Sequence, residues 1–441
     1  MNIETVGHAG LLLRDDRGTP VLFSDPWITG SCYWRSWWLQ NYPTPELLAD
    51  LRSAAYCFIT HEHPDHFHTA SIRVLGQGIH YLSPALPQGR IVPYLTAQGY
   101  RASVLPAFEW RAIHDDVQLL SIPLFNDDSV LVINTPTAVV VNLNDSKPRP
   151  RQLRQLCAAL DALTPGKMRV LLSSYSPASI VNSFLRHDQR VSLREKANYV
   201  RSIVDNCRLM KVDYFMPFAS QAIFRRSDSK WANDFKVTFD DLQAHWDHEG
   251  RTTLLPPYSR LDLRDRSTTS VAPSQYRQEE ESSRPKVEAQ EALDAQAAFD
   301  DADLDRLARK LNAHRWLLAL LFPRGIGFEL EHTRLRYSPW SGTLVRGQAS
   351  GDFVLKVPAQ AFKDAVTYGH FGDLGTTMFT MVILNSGIHP RRVYLFFLII
   401  TLHDYGHTTS VGNWLTWVRH SIGVQGWRIP RDLSHPQPVP R

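Results

Sequence analysis

The run Thr60-His61-Glu62-His63-Pro64-Asp65-His66 concentrates three imidazoles and two carboxylates in six consecutive positions, His61 to His66. Imidazole nitrogen and carboxylate oxygen are the ligands that borderline divalent ions such as zinc, iron and manganese accept, and no packing requirement calls for so many together. The chemistry this points to is metal-assisted: a bound cation activates water and polarises the bond under attack. On an extended segment His61 and His63 face one side, while Asp65 and His66 lie past Pro64, where the chain turns back toward them. That arrangement allows two neighbouring metal positions, with His61, His63, Asp65 and His66 as ligands. Asp65 and His66 are also the expected catalytic residues, Asp65 orienting the attacking hydroxide as well as binding metal.

Such a cluster has to be delivered by a rigid element. The residues before it, Ala54-Ala55-Tyr56-Cys57-Phe58-Ile59-Thr60, form a short apolar run with the character of a buried strand, so the cluster sits where a strand ends. Upstream, Gly10-Leu11-Leu12-Leu13 and Val21-Leu22-Phe23 flank the turn signal Asp15-Asp16-Arg17-Gly18, which predicts a hairpin whose second strand delivers Asp25 to a loop opened by Pro26. Further strands are expected at Ile79-Leu82, Val117-Ile122, Ser129-Asn134 and Ala138-Leu143, and helices at Arg151-Leu163 and Leu193-Leu209.

At 441 residues and 43% hydrophobic content the chain is long enough for two cores. Between about 265 and 290 the sequence turns polar and loses apolar periodicity, which predicts a linker over 266–290 between an N-terminal metal-binding unit, 1–265, and a smaller C-terminal α+β domain, 291–441. A helical pattern resumes across Leu293 to Leu311. With 48 basic against 44 acidic residues the net charge is only +4, and no basic block tracks phosphates, so nucleic acid is not an expected partner. Four scattered cysteines, Cys32, Cys57, Cys157 and Cys207, form no C-x-x-C pair and suit reduced thiols in a cytoplasm. Met1 to Val6 do not read as a secretory signal. The longest apolar run, Val393 to Leu402, is about ten residues against the roughly twenty that span a bilayer, so no transmembrane segment is expected and the run reads as buried core.

The hairpin, Asp25-Pro26-Trp27 and His61-x-His63-x-Asp65-His66 together resemble the metallo-β-lactamase fold, an α/β architecture in which an αββα sandwich holds its metals at one edge. Within that superfamily the chain is similar to the metallo-hydrolase-like portion of CMP-N-acetylneuraminate hydroxylases. Ser24-Asp25-Pro26-Trp27, Arg35-Ser36-Trp37-Trp38, the histidine motif, Asn144-Asp145-Ser146 and Pro217-Phe218-Ala219 carry the likeness, in matching order, over about residues 3 to 265. Those hydroxylases also carry a Rieske iron–sulfur domain, held by two Cys and two His in paired short motifs. No such pairing occurs in this sequence.

The resemblance implies one or two divalent ions, zinc first, with iron or manganese as alternatives. It implies Asp145 as the aspartate bridging the pair, and Asp25 as a carboxylate supporting a ligating imidazole from behind. The segment that brings a later histidine in the superfamily reads Pro123-Leu124-Phe125-Asn126-Asp127-Asp128 here, so oxygen ligands are expected to replace imidazole, with Asp128 or Asp127 ahead of His114. The final superfamily histidine falls near Pro217-Phe218-Ala219-Ser220, which has no imidazole and implies a weak or open second position. His8, in Gly7-His8-Ala9-Gly10, either orients substrate or a carboxylate near the metals, or is a turn histidine. The aromatic group Tyr33, Trp34, Trp37, Trp38 and Tyr42 either lines a substrate pocket or packs on the second domain. His403 and His407 would share a face if helical, a weak pair given Gly406 and no third ligand.

The expected function is a cytoplasmic metal-dependent hydrolase acting on a small-molecule ester, lactone, amide or phosphodiester. The alternative is a dinuclear iron oxygenase supplied by an external reductase, which carboxylate-richer ligands would favour.

Overall fold

The computed structural model describes all residues except 125–126, 178–182, 187–188, 191–194, 271–275, 278–279, 426–428, 431–432, 434–436 and 440–441. Among the described residues two eight-stranded sheets dominate the first two-thirds of the chain. One runs, in spatial order, Thr268–Ser270, Ser259–Asp262, Asn2–Val6, Gly10–Arg14, Pro20–Ser24, Tyr56–Phe58, His80–Pro84 and Ala102–Leu105. The other runs Thr253–Leu254, Tyr214–Phe218, Met168–Ser174, Ala138–Asn144, Ser129–Asn134, Val117–Pro123, Trp110–His114 and Gln437–Pro438.

The inner faces meet in one apolar cluster, where Ile3, Leu11, Leu13, Leu22, Phe58 and Leu82 of the first sheet pack with Leu119, Leu131, Ile133, Val140, Val170 and Leu172 of the second. Helices Pro45–Arg52, Thr69–Leu75 and Ile91–Ala97 cover the outer face of the first sheet. Helices Pro150–Leu163, Lys196–Met210 and Phe239–His245 cover that of the second. The layers are therefore α, β, β, α. Being covered on both sides explains why Ser129–Asn134, Ala138–Asn144 and Met168–Ser174 are buried at every position instead of alternating.

The expected hairpin forms, and a strand ahead of it, Asn2–Val6, extends it. Its turn is held by Asp15, whose Oδ1 accepts from the backbone N–H groups of Arg17 and Thr19 at 2.9 and 2.8 Å.

A third sheet, Gln189–Arg190, Phe184–Arg186, Met381–Leu384, Phe353–Lys356, Ile326–Leu330, Thr333–Ser338 and Thr343–Arg346, carries its own phenylalanine-rich core with helices Asp301–Asn312, Ala359–Tyr368 and Pro390–Asp404. The units interlace: Phe184–Arg186 pairs with Met381–Leu384, and Gln437–Pro438 returns to the edge of the second sandwich sheet. The segment 266–290, read as a polar linker, contains strand Thr268–Ser270, strand Tyr276–Arg277 and the first part of helix Glu280–Gln296. Strong helix formers such as Glu, Lys, Ala and Gln supply that helix without an apolar stripe. Leu193, the expected start of the second helix, lies outside the described residues; the helix begins at Lys196. The apolar run Val393 to Leu402 forms most of Pro390–Asp404 and buries Val393, Phe396, Phe397 and Ile400. No helix among the described residues is long and apolar enough to cross a membrane.

Candidate metal centre

Strand Tyr56–Phe58 ends in Ile59 and Thr60, and the motif turns across the end of the sandwich. Asp25, just past strand Pro20–Ser24, anchors the turn: its Oδ1 accepts from the Thr60 backbone N–H at 2.8 Å and its carboxylate from the Thr60 hydroxyl at 2.9 Å. Asp25 Oδ2 also lies 3.3 Å from His66 Nδ1, with both side chains fully buried. A proton on Nδ1 facing Asp25 leaves the lone pair on Nε2, which is how a carboxylate behind an imidazole fixes its tautomer.

That Nε2 points at oxygen. Asp145 Oδ2 is 3.4 Å away and Asp65 Oδ2 3.5 Å, yet the buried nitrogen makes no hydrogen bond. Lone pairs facing carboxylate oxygens in a dry environment repel unless positive charge lies between them. Burial alone would lower the affinity of His66 for a proton, but the carboxylates of Asp65, Asp25 and Asp145 outweigh it and raise its pKa well above the usual value. The cluster is built to hold a positive charge at this point.

His8 completes the group from the turn between the first two strands. Its Nε2 lies 3.2 Å from Asp65 Oδ2, both side chains being buried. The Tyr33 hydroxyl donates to the other Asp65 oxygen at 2.6 Å. Burial opposes ionisation of Asp65, but His66 and His8 hold its pKa well below the carboxylate range. His61 lies tilted against His66 with ring centroids 4.1 Å apart, and burial together with its histidine neighbours drives its pKa well down, keeping the ring neutral and able to donate a lone pair. Ligand-capable atoms of His8, Asp65 and His66 all lie within 4.8 Å of one another, as do those of His61, His66 and Asp145.

Asp145 reaches this edge through a local irregularity. The register of strand Ala138–Asn144 against Met168–Ser174 shifts between Asn142 and Asn144, and Asn144 has φ 40°. Such a bulge re-aims the next side chain. Asp128 lies on the other side of His61, its Oδ1 3.5 Å from His61 Nδ1, and burial plus the charge of Asp145 push its pKa up to about 7.

Not every expected ligand joins these groups. His63 turns its Nδ1 to His61 Nε2 at 2.8 Å, so it contacts the cluster through its neighbour. His114, the alternative to the Asp127/Asp128 segment, lies instead 3.9 Å from Asp15 at the far turn. Phe125 and Asn126 of that segment lie outside the described residues. Trp38 is fully buried and donates to Arg35 O, while Trp37 donates to Thr376 O of the C-terminal unit and sits edge-on to His8 at 5.8 Å. The 217–220 segment brings no imidazole, but the Ala219 backbone N–H donates to His8 O at 2.9 Å, and His8 provides the ring at that corner.

His403 and His407, the weak i, i+4 pair, do not share a helix face. Helix Pro390–Asp404 stops before Gly406, whose φ of 83° suits only glycine. His403 then faces His314, ring centroids 5.2 Å apart, while His407 pairs its Nε2 with Asp127 Oδ2 beneath the C-terminal unit. This buried contact was not visible in the sequence because 280 positions separate its partners. Tyr33 was visible only as an aromatic, and its backbone holds the missing signal. Tyr33, Trp34 and Arg35 have φ of 51°, 51° and 65° in succession. Left-handed conformations in non-glycine residues cost about 1 kcal/mol or more each and cluster where side-chain placement matters.

No family model matches the chain. A 60-residue stretch is 35% identical to the cytidine monophosphate-N-acetylneuraminic acid hydroxylase of Asterias rubens, covering 14% of this chain and 9% of that protein. The hydroxylase of the same name from Cricetulus griseus is 19% identical over 257 residues, 56% of this chain and 44% of the relative. That from Danio rerio is 22% identical over 212 residues, 45% and 33% respectively. The chain thus spans less than half the length of these relatives. Among solved structures, an isothiocyanate hydrolase from Delia radicum gut bacteria aligns over 62% of this chain and 99% of its own at 12% identity and TM-score 0.38. A metallo hydrolase from Ignicoccus hospitalis aligns over 62% and 100% at 13% identity and TM-score 0.36. Layer order, the strand-end histidine motif and its edge position, each visible in this chain itself, give the protein the αββα metallo-β-lactamase fold, with sequence similarity to the CMP-N-acetylneuraminic acid hydroxylases.

Proposed function

We propose that the protein is a metal-dependent hydrolase whose metal edge is formed by His8, His61, Asp65, His66 and Asp145, with Asp128 beside them. The observation that carries this is His66 Nε2, buried without a hydrogen bond between the oxygens of Asp65 and Asp145. Three neutral-capable imidazoles and two to three carboxylates form a donor set that zinc, iron and manganese all accept. A bound divalent ion supplies a water of lowered pKa and polarises the oxygen of the scissile group.

The chain's own residues do the rest. Asp25 fixes the His66 ring through Nδ1 and locks Thr60. Tyr33 donates a hydrogen bond to one oxygen of Asp65 and His8 Nε2 lies 3.2 Å from the other, which keeps the carboxylate turned toward the edge. Asp128, with its pKa near 7, is placed to take or return a proton beside His61. Asp145 is the outermost member, its side chain 37% exposed, and faces the side from which a small ester, lactone, amide or phosphodiester would approach.

The test is elemental analysis of protein purified without added metal, alongside His61→Ala and Asp145→Ala, followed by an ester and lactone screen. Stoichiometric zinc lost in both variants supports hydrolysis; metal-free wild type that stays inactive on adding zinc, iron or manganese overturns it. A second reading, a dinuclear iron oxygenase fed by an external reductase, is favoured by the carboxylate share of the donor set and by the hydroxylase similarity, and two irons per chain would select it.

A further inference from the structure

Between the Tyr33–Trp34 turn and the C-terminal unit lies a cavity of about 270 Å³ lined by the rings of Tyr33, Trp34 and Tyr368 and by Asp364, His370 and Asp373. It also touches Pro64 of the histidine motif, and Tyr33 donates its hydroxyl to Asp65, so the cavity adjoins the metal edge. Its size suits one small group, since whole drug-sized ligands need roughly 300 to 1,000 Å³.

Carboxylates dominate the charge inside, with His370 the one titratable nitrogen in the lining. Asp364 is held in place by Trp34 Nε1 at 3.0 Å and Gln360 Nε2 at 2.7 Å. Asp373 is only 6% exposed, and its carboxylate makes no hydrogen bond among the described residues; its nearest paired nitrogen is His370 Nδ1 at 3.5 Å. A carboxylate so buried is costly unless something donates to it. No Lys or Arg lines the cavity. Arg90, the cation in the neighbouring loop, is bound to Glu62 and lies over the Tyr405 ring at 4.7 Å. Aromatic faces combined with carboxylates attract an ammonium group, whereas an anion would meet two carboxylates with only the His370 ring, itself paired with Asp373, to offset them.

We propose that this cavity is a substrate subsite for a cationic ammonium group, with Asp373 as its anionic partner and Trp34 and Tyr368 as its aromatic walls. The inference deepens the hydrolase reading and rests on it for the word substrate. It assigns an amine-bearing ester, lactone or amide, and disfavours a phosphodiester whose charge would enter here. Asp373 and Tyr368 are specificity-determining residues that read the substrate away from the reacting bond.

The experiment is ligand-observed NMR on the purified full chain, using benzylammonium, benzyl alcohol and benzoate as probes. Benzylammonium should bind in the millimolar range suited to so small a ligand, at least about tenfold more tightly than either other probe. Asp373→Asn and Tyr368→Ala should each weaken it by about fivefold or more, in keeping with one lost charge or cation–π contact. Tyr368 is 70% exposed, so its truncation reports even if Asp373→Asn fails to fold. Benzoate or benzyl alcohol binding as tightly as benzylammonium, no saturable benzylammonium binding, or binding indifferent to Tyr368→Ala would overturn the proposal. Because the readout needs no turnover, failure of the subsite leaves metal content and hydrolysis intact, whereas failure of the hydrolase reading appears as absent metal with the probes still bound.

Discussion

Two places in this molecule bury charge almost completely, and they do it in opposite ways. Around Arg226 the guanidinium meets an oxygen at each nitrogen: Nε and Nη2 donate to Asp228 at 3.0 and 2.7 Å, and Nη1 donates to Asp294 at 2.8 Å and to Trp34 O at 3.1 Å. At the candidate metal edge, His66 Nε2 and His8 Nε2 make no hydrogen bond although carboxylate oxygens lie 3.2 to 3.5 Å away, and His8 Nδ1 has no hydrogen-bond partner either. A fully paired buried charge is scaffold. Clustered buried atoms with no partner are what a chain keeps when the partner comes from outside it.

The largest effect should come from the unpaired side. His66→Ala and Asp145→Ala are expected to abolish stoichiometric metal and to cut hydrolysis by about a thousandfold or more, since they remove a group that positions the attacking water. Both variants, compared metal-free with metal-free wild type, should melt within a few degrees of it, because His66 Nε2 makes no hydrogen bond and the Asp145 side chain is 37% exposed. A metal-free His66→Ala that melts far lower would break the comparison, for it would show the cluster to be scaffold too.

Arg226 is the mirror image. Asp294→Ala leaves a buried guanidinium short of one carboxylate and also strips the acceptor from the Ala361 backbone N–H, 3.1 Å from Asp294 Oδ1. Breaking such a pair typically costs about 3–5 kcal/mol, so a denaturant midpoint should fall accordingly while metal content in the folded fraction stays unchanged. Asp294 lies in helix Glu280–Gln296, so this variant also tests whether that polar stretch ties the sandwich to the C-terminal unit.

The same contrast explains what could be read in the sequence. Local patterns announced the hairpin, the strands Val117–Pro123, Ser129–Asn134 and Ala138–Asn144, and the His61–His66 motif, because strand periodicity and ligand spacing are properties of neighbouring residues. Helix Glu280–Gln296 escaped because it is polar on most faces and its one conspicuous anchor, Asp294, finds Arg226 across 68 positions. In the site, Asp65 and His66 of the motif come together with Asp25 and Asp145, the two carboxylates that the resemblance implied. The rest was hidden for reasons of distance and backbone. The sequence leaves His8 open between a turn residue and a group near the metals, and only the sheets bring it to Asp65; Tyr33 owes its place to three successive left-handed residues that no propensity favours. Both fall where function competes with local preference, which is where local rules fail.

Tyr33 gives the next prediction. Tyr33→Phe removes the 2.6 Å hydrogen bond to Asp65 while keeping the ring in its apolar surroundings. Supporting hydrogen bonds behind metal ligands are worth about 10–100-fold in metal affinity. A competitive chelator titration should therefore show weaker metal binding with little change in melting temperature. Unchanged affinity would place Asp65 outside the metal's reach and sharpen the assignment toward His61, His66 and Asp145.

His80 supplies the smallest effect and the most searching case, because it is buried, keeps one ring nitrogen without a partner, and yet sits on a strand away from the motif. Its Nε2 bonds Ser103 Oγ at 2.8 Å, while Nδ1 has none. Burial, assisted by Arg101, pushes its pKa down to about 4, so the folded protein holds it neutral where an unfolded chain would begin to protonate near 6.5. The stability from this neutral ring is fully present above pH 6.5 and is lost as pH falls through the folded value near 4. His80→Gln keeps a hydrogen-bonding side chain but cannot titrate, so its stability should fall less steeply than wild type between those limits. Metal content should not differ. If the two stability curves run parallel, a lone partnerless atom carries no thermodynamic signal of its own; if His80→Gln also loses metal, clustering is not what marks the site. The outcome expected here, a shallower slope with metal retained, means that an unpaired buried nitrogen points to function only when other ligand-capable atoms gather around it.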